Sequence, residues 1–134
     1  MTYVQRFTEL GLTDSGEAGG KGANLGELTG MGLQVPDGFV LLASAFVQSM
    51  GAAGVLAELD ATHEAALSAV ADEVELTRLC ARMAELVDGA GMDPEVRLAL
   101  GGAYQDLGKG DQVNVAVRSS AVGEDGNDAS FAGM

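Results

Sequence analysis

Between Ser44 and about Leu107 the apolar residues recur every three to four positions, the period of helices with one face turned to a core. Ser44 can cap a short helix through Met50, and another helix follows from about Gly54. Asp72 and Glu75 have the spacing of a capping box, and Leu76, Leu79, Cys80, Met83 and Val87 behind them form one apolar stripe. Asp93-Pro94-Glu95 predicts a further helix start, since proline suits the first helical position and an acid favours the positive end of the helix dipole. Val96, Leu100, Ala103, Tyr104 and Leu107 line the face of that helix, and Gly108 stops it. From Gln112 to Arg118 the period changes to two. Val113, Val115 and Val117 then face one way and Asn114, Ala116 and Arg118 the other, which predicts a strand with its valines against the helical layer.

The ends of the chain are punctuated by glycine. The stretch 16–24 is glycine-rich and leads into a short helix with Leu25, Leu28 and Met31 on its stripe, closed by Gly30 and Gly32. Val35-Pro36-Asp37-Gly38 predicts a turn, and Phe39-Val40-Leu41-Leu42 a short buried strand. Gly123 to Asp128 reads as a polar turn before a last extended stretch, Ala129 to Gly133. Together these elements predict an α/β fold in which a helical layer packs on a small sheet. The ends of that sheet are expected to carry Lys21 and Arg118.

Composition narrows the class. Apolar residues make up 47% of the 134, enough for a packed core, but aromatics only 4%, so that core is built from Ala, Val, Leu and Met. Twenty acids against seven bases give a net charge of −13, which argues against DNA or RNA, whose binding rests on Lys and Arg neutralising phosphates. A nucleotide remains admissible, because charges beyond about 8–10 Å are screened and the local cations decide. Cys80 is the only cysteine, which excludes an internal disulfide, and its place on a helical stripe predicts burial. No apolar run is long enough to span a bilayer and the first residues lack a signal-peptide layout, so no membrane is expected and the cytoplasm is the expected location.

Two places could carry chemistry. Gly19-Gly20-Lys21-Gly22 stands at a helix entrance, where backbone N–H groups and the dipole favour an anion and Lys21 adds a full charge. It is neither a Walker A loop, since Gly22 stands where Ser or Thr is needed, nor a dinucleotide fingerprint, since Leu25 replaces the third glycine. A plain glycine-rich turn is the competing reading. The second place is Arg118-Ser119-Ser120, where an Arg beside small residues suits bidentate phosphate binding, against the alternative of a surface Arg closing a strand. Cations in two such settings, out of seven in the chain, point to a joint anion site. His63, in a polar stretch, and the acids of 124–128 read as solvated groups, and no metal ligands are assigned.

Five blocks then occur in order: Gly-Gly-Lys-Gly-Ala-Asn-Leu-Gly-Glu-Leu (19–28), Val-Pro-Asp-Gly-Phe (35–39), Val-Arg-Ser-Ser-Ala (117–121), Glu-Asp (124–125) and Ser-Phe-Ala-Gly (130–133). In these the chain resembles the N-terminal ATP-binding domain of the phosphoenolpyruvate synthase, pyruvate phosphate dikinase and rifampin phosphotransferase family. The resemblance implies the first lobe of an ATP-grasp-type nucleotide-binding domain, with ATP and Mg²⁺ as cofactors. It implies ATP contacts from Lys21 and Arg118, from Gly133 and Met134 at the start of a phosphate-covering loop, and supporting roles for Gly20, Gly22, Ser119 and Ser120. The reaction implied consumes ATP, releases AMP and phosphate, and passes a phosphoryl group through a phosphohistidine to pyruvate or an alcohol such as rifampin. Residues 1–134 are then expected to be a partial domain, inactive alone, whose second lobe, phosphohistidine domain, acceptor domain and most Mg²⁺ ligands lie elsewhere. Those domains would be its partners, and an open sheet edge would also allow an edge-strand dimer. The alternative is a naturally short, non-catalytic module that binds a nucleotide or a protein partner.

Overall fold

A computed structural model describes residues 1–123; the expectations for 124–134, including Gly133 and Met134, lie outside the described residues. Strand β1 (Val4–Arg6) pairs antiparallel with β2 (Phe39–Leu41) in the register Val4 with Leu41, Gln5 with Val40 and Arg6 with Phe39. Hydrogen bonds from Leu42 N–H to the Tyr3 carbonyl (2.9 Å) and from Phe7 N–H to the Gly38 carbonyl (3.1 Å) extend the ladder at both ends. Two single turns of 3₁₀ helix, Phe7–Glu9 and Leu12–Asp14, lead from β1 to helix α1 (Ser15–Gly30). In each turn an acid satisfies a backbone donor: Glu9 accepts from Arg6 N–H and Asp14 from Gly11 N–H, both at 2.8 Å. After β2 come α2 (Ala43–Ala52), α3 (Leu56–Ser68), α4 (Glu73–Ala90) and α5 (Pro94–Leu107).

The chain forms two compact units, one of Met1–Ala45 with the segment from Glu95 onward, the other of Phe46–Pro94. In the first unit Leu10, Ala18 and Leu42 form a buried cluster with Val40 packed against it. Helix α1 turns Ala18, Gly19, Gly22, Ala23 and Gly26 inward, a face of small residues. Smallness there is a steric requirement. A Cβ on Gly26 would stand 2.5 Å from the Leu10 Cβ, and one on Gly22 would stand 2.9 Å from the Val40 methyl. Leu25, Leu28 and Met31, the expected stripe, are correspondingly not the buried face: Leu28 and Met31 are exposed. The helix ends as expected, with Gly32 at φ 79° and Leu33 N–H returning to the Leu28 carbonyl at 3.2 Å.

In the second unit α3 and α4 pack on one another, with Thr62 and Ala66 buried on α3 and Leu79 and Leu86 on α4. Arg82 on α4 reaches across to Glu58 on α3 at 2.6 Å and also meets Glu85 at 3.4 Å. Asp72 caps α4 by accepting the Glu75 N–H, but the reciprocal half of the capping box is replaced: the Glu75 carboxylate takes two hydrogen bonds from Arg78, at 2.8 and 2.6 Å. That hydrogen bond, chiefly, holds the Glu75 carboxyl below its ordinary 4.5. Cys80 is exposed, contrary to expectation, because Leu79 and Leu86 rather than Cys80 face inward.

The predicted α/β class, helices with a small sheet, is the one observed, but two elements differ. Ser44 does not cap α2; its N–H donates to the Glu17 carboxylate of α1 (3.2 Å) and its hydroxyl to the Thr2 carbonyl (3.0 Å). Residues 112–121 form no strand. Among the described residues no strand pairs with them, and the alternation does not bury its apolar face: Val115 is 47% and Val117 91% exposed. Val113 is held by the Tyr104 hydroxyl, which donates to its carbonyl (2.7 Å) and accepts from its N–H (3.2 Å). Lys21 therefore stands on a helix and Arg118 in irregular chain, and neither stands at the end of a sheet.

Candidate functional site

The glycine-rich stretch and the Arg-Ser-Ser segment meet. The glycines lie inside α1, and the helix breaks at Gly19, whose φ of 71° and ψ of 168° belong to a backbone region essentially restricted to glycine. The break opens a notch, and Ser119–Ala121 fills it. Gly20 N–H donates to the Ala121 carbonyl at 3.0 Å, and Gly22 N–H donates to the Ser120 hydroxyl at 2.8 Å. The Ser120 hydroxyl in turn donates to the Ala18 carbonyl at 2.6 Å, one of the backbone groups left over by the kink. Contact is close enough that a Cβ on Gly19 would stand 2.5 Å from Ser120 Oγ and nearer still to the Ser120 carbonyl oxygen.

Lys21, half-buried on α1, extends its ammonium to 3.4 Å from the Ser119 carbonyl. That carbonyl belongs to the residue directly after Arg118, so residues 98 apart in sequence bring a Lys and an Arg to one place. Arg118 is exposed and makes no hydrogen bond or ion pair with the described residues. Two cations on joined segments, one in contact with the backbone beside the other, suit an anion with several charges. Gly20 and Gly22 donate their N–H groups to Ala121 and Ser120 and so hold that segment against α1.

Arg97, by contrast, is exposed on α5, and His63 is exposed on α3 in the other unit. A small cleft lined by Arg6, Phe7, Thr29, Val35, Pro36 and Asp37 includes part of the Val-Pro-Asp-Gly turn but neither Lys21 nor Arg118. Among the described residues no three His, Cys, Asp or Glu side chains converge, and no helix is long and apolar enough to cross a membrane. Sequence reasoning missed the kink at Gly19 and the bridging role of Ser120. The one available signal was a hydroxyl residue and a glycine cluster in adjoining candidate motifs.

Comparison with known proteins adds an independent line. A family model described as "Pyruvate phosphate dikinase, AMP/ATP-binding domain" matches residues 15–134. The chain is 41% identical, over 98% of its length, to a probable phosphoenolpyruvate synthase of Methanothermobacter thermautotrophicus, of which it covers 19%. It is 38% identical, over 96% of its length, to the phosphoenolpyruvate synthase of Escherichia coli, of which it covers 16%. A probable phosphoenolpyruvate synthase of Methanocaldococcus jannaschii is 38% identical over all of this chain, which covers 11% of it. The chain thus spans between about a tenth and a fifth of the length of these relatives.

Proposed function

The chain belongs to the pyruvate phosphate dikinase AMP/ATP-binding domain family, and from that premise we propose that it is the first lobe of an ATP-binding domain whose Lys21 and Arg118 hold the triphosphate of ATP. The observation that carries this reading is the docking of Ser119–Ala121 into the Gly19 notch, which brings Arg118's segment onto the helix that bears Lys21. Each cation about 4 Å from a phosphate oxygen would contribute on the order of 4 kcal/mol at an effective dielectric near 20. Both act on charge rather than by bond-making, which is what phosphoryl transfer asks of a protein: position the phosphates and neutralise charge that builds on them. When bound, Mg²⁺ would share that neutralisation.

In a longer parent protein this lobe would serve an ATP-to-AMP reaction that passes a phosphoryl group through a phosphohistidine supplied by another domain. The relatives named phosphoenolpyruvate synthase favour pyruvate over rifampin as the acceptor. Gly133 and Met134, outside the described residues, would be further ATP contacts. The test is ATP titration, with heat or fluorescence as readout, of this chain and of Lys21→Ala, Arg118→Ala and Arg97→Ala. Loss of a charge-assisted phosphate contact costs about 1.5–3 kcal/mol, so the first two variants are expected to bind about ten- to a hundredfold more weakly and Arg97→Ala as the parent does. No saturable binding at millimolar ATP, or equal losses in all three variants, would refute the assignment.

A further inference from the structure

We infer that Ser120 is a positioning residue of the phosphate site rather than a ligand contact: its hydroxyl locks the Arg118 segment to the kinked helix and so fixes where Arg118 stands relative to Lys21. The inference rests on the proposed function and deepens it.

Hydroxyl chemistry decides the point. A serine hydroxyl has one hydrogen to give and two lone pairs. The hydrogen of Ser120 goes to the Ala18 carbonyl at 2.6 Å, and one lone pair takes the Gly22 N–H at 2.8 Å. What remains is an acceptor. Phosphate oxygens are acceptors too, so a latched Ser120 has nothing to offer them. Gly20 and Gly22 are committed in the same way, their N–H groups spent on Ala121 and Ser120. The cations carried by the two joined segments are Lys21, whose ammonium also touches the Ser119 carbonyl, and Arg118, and those segments form one rim only while Ser119–Ala121 stays in the notch.

Geometry makes the lock selective. Ser120 is half-buried, and its hydroxyl spans the break at Gly19, joining a carbonyl on the N-terminal side of the kink to an N–H on the other. It therefore holds the two halves of α1 as well as the incoming segment. An alanine at 120 leaves the Ala18 carbonyl and the Gly22 N–H without this partner and frees Arg118 to move with its backbone. A threonine keeps the hydroxyl.

Two measurements on this chain test the inference. In the first, amide exchange is followed for Ser120→Ala. The Gly22 amide is expected to exchange about tenfold faster than in the parent, the equivalent of one net hydrogen bond, while amides within α4 keep their rates. Unchanged exchange at Gly22 would overturn the lock whatever ATP does.

The second is a double-mutant cycle read by ATP affinity, with Ser120→Ala, Arg118→Ala and the pair, and Ser120→Thr as rescue. A positioning role predicts a loss of about tenfold in Ser120→Ala, near-parental affinity in Ser120→Thr, and no further loss when Ser120→Ala is added to Arg118→Ala. Full additivity would mean that Ser120 touches the ligand itself and would overturn the inference. Parent chain that binds no ATP would refute the proposed function, and the lock would then be judged on exchange at Gly22 alone.

Discussion

Gly19→Ala and Gly16→Ala place the same methyl on the same helix, and the structure predicts opposite results. At Gly19 the backbone sits at φ 71°, ψ 168°, where a residue with a Cβ carries strain of about 1–3 kcal/mol. The new methyl would also overlap the Ser120 carbonyl and stand 2.5 Å from Ser120 Oγ, so Ser119–Ala121 must leave the notch. Leaving it breaks the hydrogen bonds from Gly20 to Ala121, from Gly22 to Ser120 and from Ser120 to Ala18, each contributing about 1 kcal/mol net. The expected loss is about 4–6 kcal/mol, a large share of the roughly 5–15 kcal/mol that holds a domain folded. Gly16 lies in the first turn of α1 with nothing within 4 Å of an added Cβ. There alanine only restricts the unfolded chain and favours helix, a gain of about 0.5–1 kcal/mol. Urea denaturation followed by far-ultraviolet circular dichroism reads both variants against the parent. Midpoints for the two variants that differ by less than the equivalent of about 1 kcal/mol would show that the kink and the docked segment do not depend on one another.

Three further outcomes are expected. Tyr104→Phe removes the hydroxyl that satisfies both backbone groups of Val113 and should cost about 1–2 kcal/mol, with faster amide exchange at Val113; an unchanged melting temperature and exchange rate would refute that anchoring. The Glu75 carboxylate should titrate below its ordinary 4.5 by nuclear magnetic resonance and return towards it in Arg78→Gln, since the hydrogen bond from Arg78 is the main cause. Because the folded value is the lower one, the pair's support is complete above the ordinary value and disappears as pH falls through the lowered one; identical titrations in the two proteins would refute the pairing. Cys80, exposed on α4, should react with Ellman's reagent in native buffer as fast as in denaturant, and protection from it would contradict the orientation of that helix.

Local signals read well where the helix was the whole story. Pro94 at the first helical position, the Asp72 cap and Gly32 beyond α1 all act through the nearest few residues, and each behaves as its chemistry dictates. Periodicity failed where burial depends on a distant partner. Val113, Val115 and Val117 alternate as in a half-buried strand, but alternation says only that one face could be covered. On α1 the leucines drew attention and the glycines did the packing, because a close approach by Leu10, Val40 and Ser120 selects for the absence of a side chain. For the site, the residue types of Lys21 and Arg118 suggested an anion in sequence. Their meeting did not follow from spacing, since it depends on a break at Gly19 and a hydroxyl 98 residues from its partner.

That long separation sets an order of events during folding. Joining two points about 100 residues apart in a flexible chain costs roughly 4 kcal/mol of closure entropy. The three hydrogen bonds that seat Ser119–Ala121 return no more than this, so they cannot lead. The β1–β2 ladder and the five helices form from nearer neighbours and replace slack chain with fixed geometry, after which closure costs less. The Lys21–Arg118 rim is therefore among the last features to assemble. On a ribosome it must wait until Ala121 has emerged, long after α1 is complete. Until then the notch at Gly19 stands open to water, and a pulse-labelling experiment should find the Gly20 and Gly22 amides protected later than those of α3 and α4.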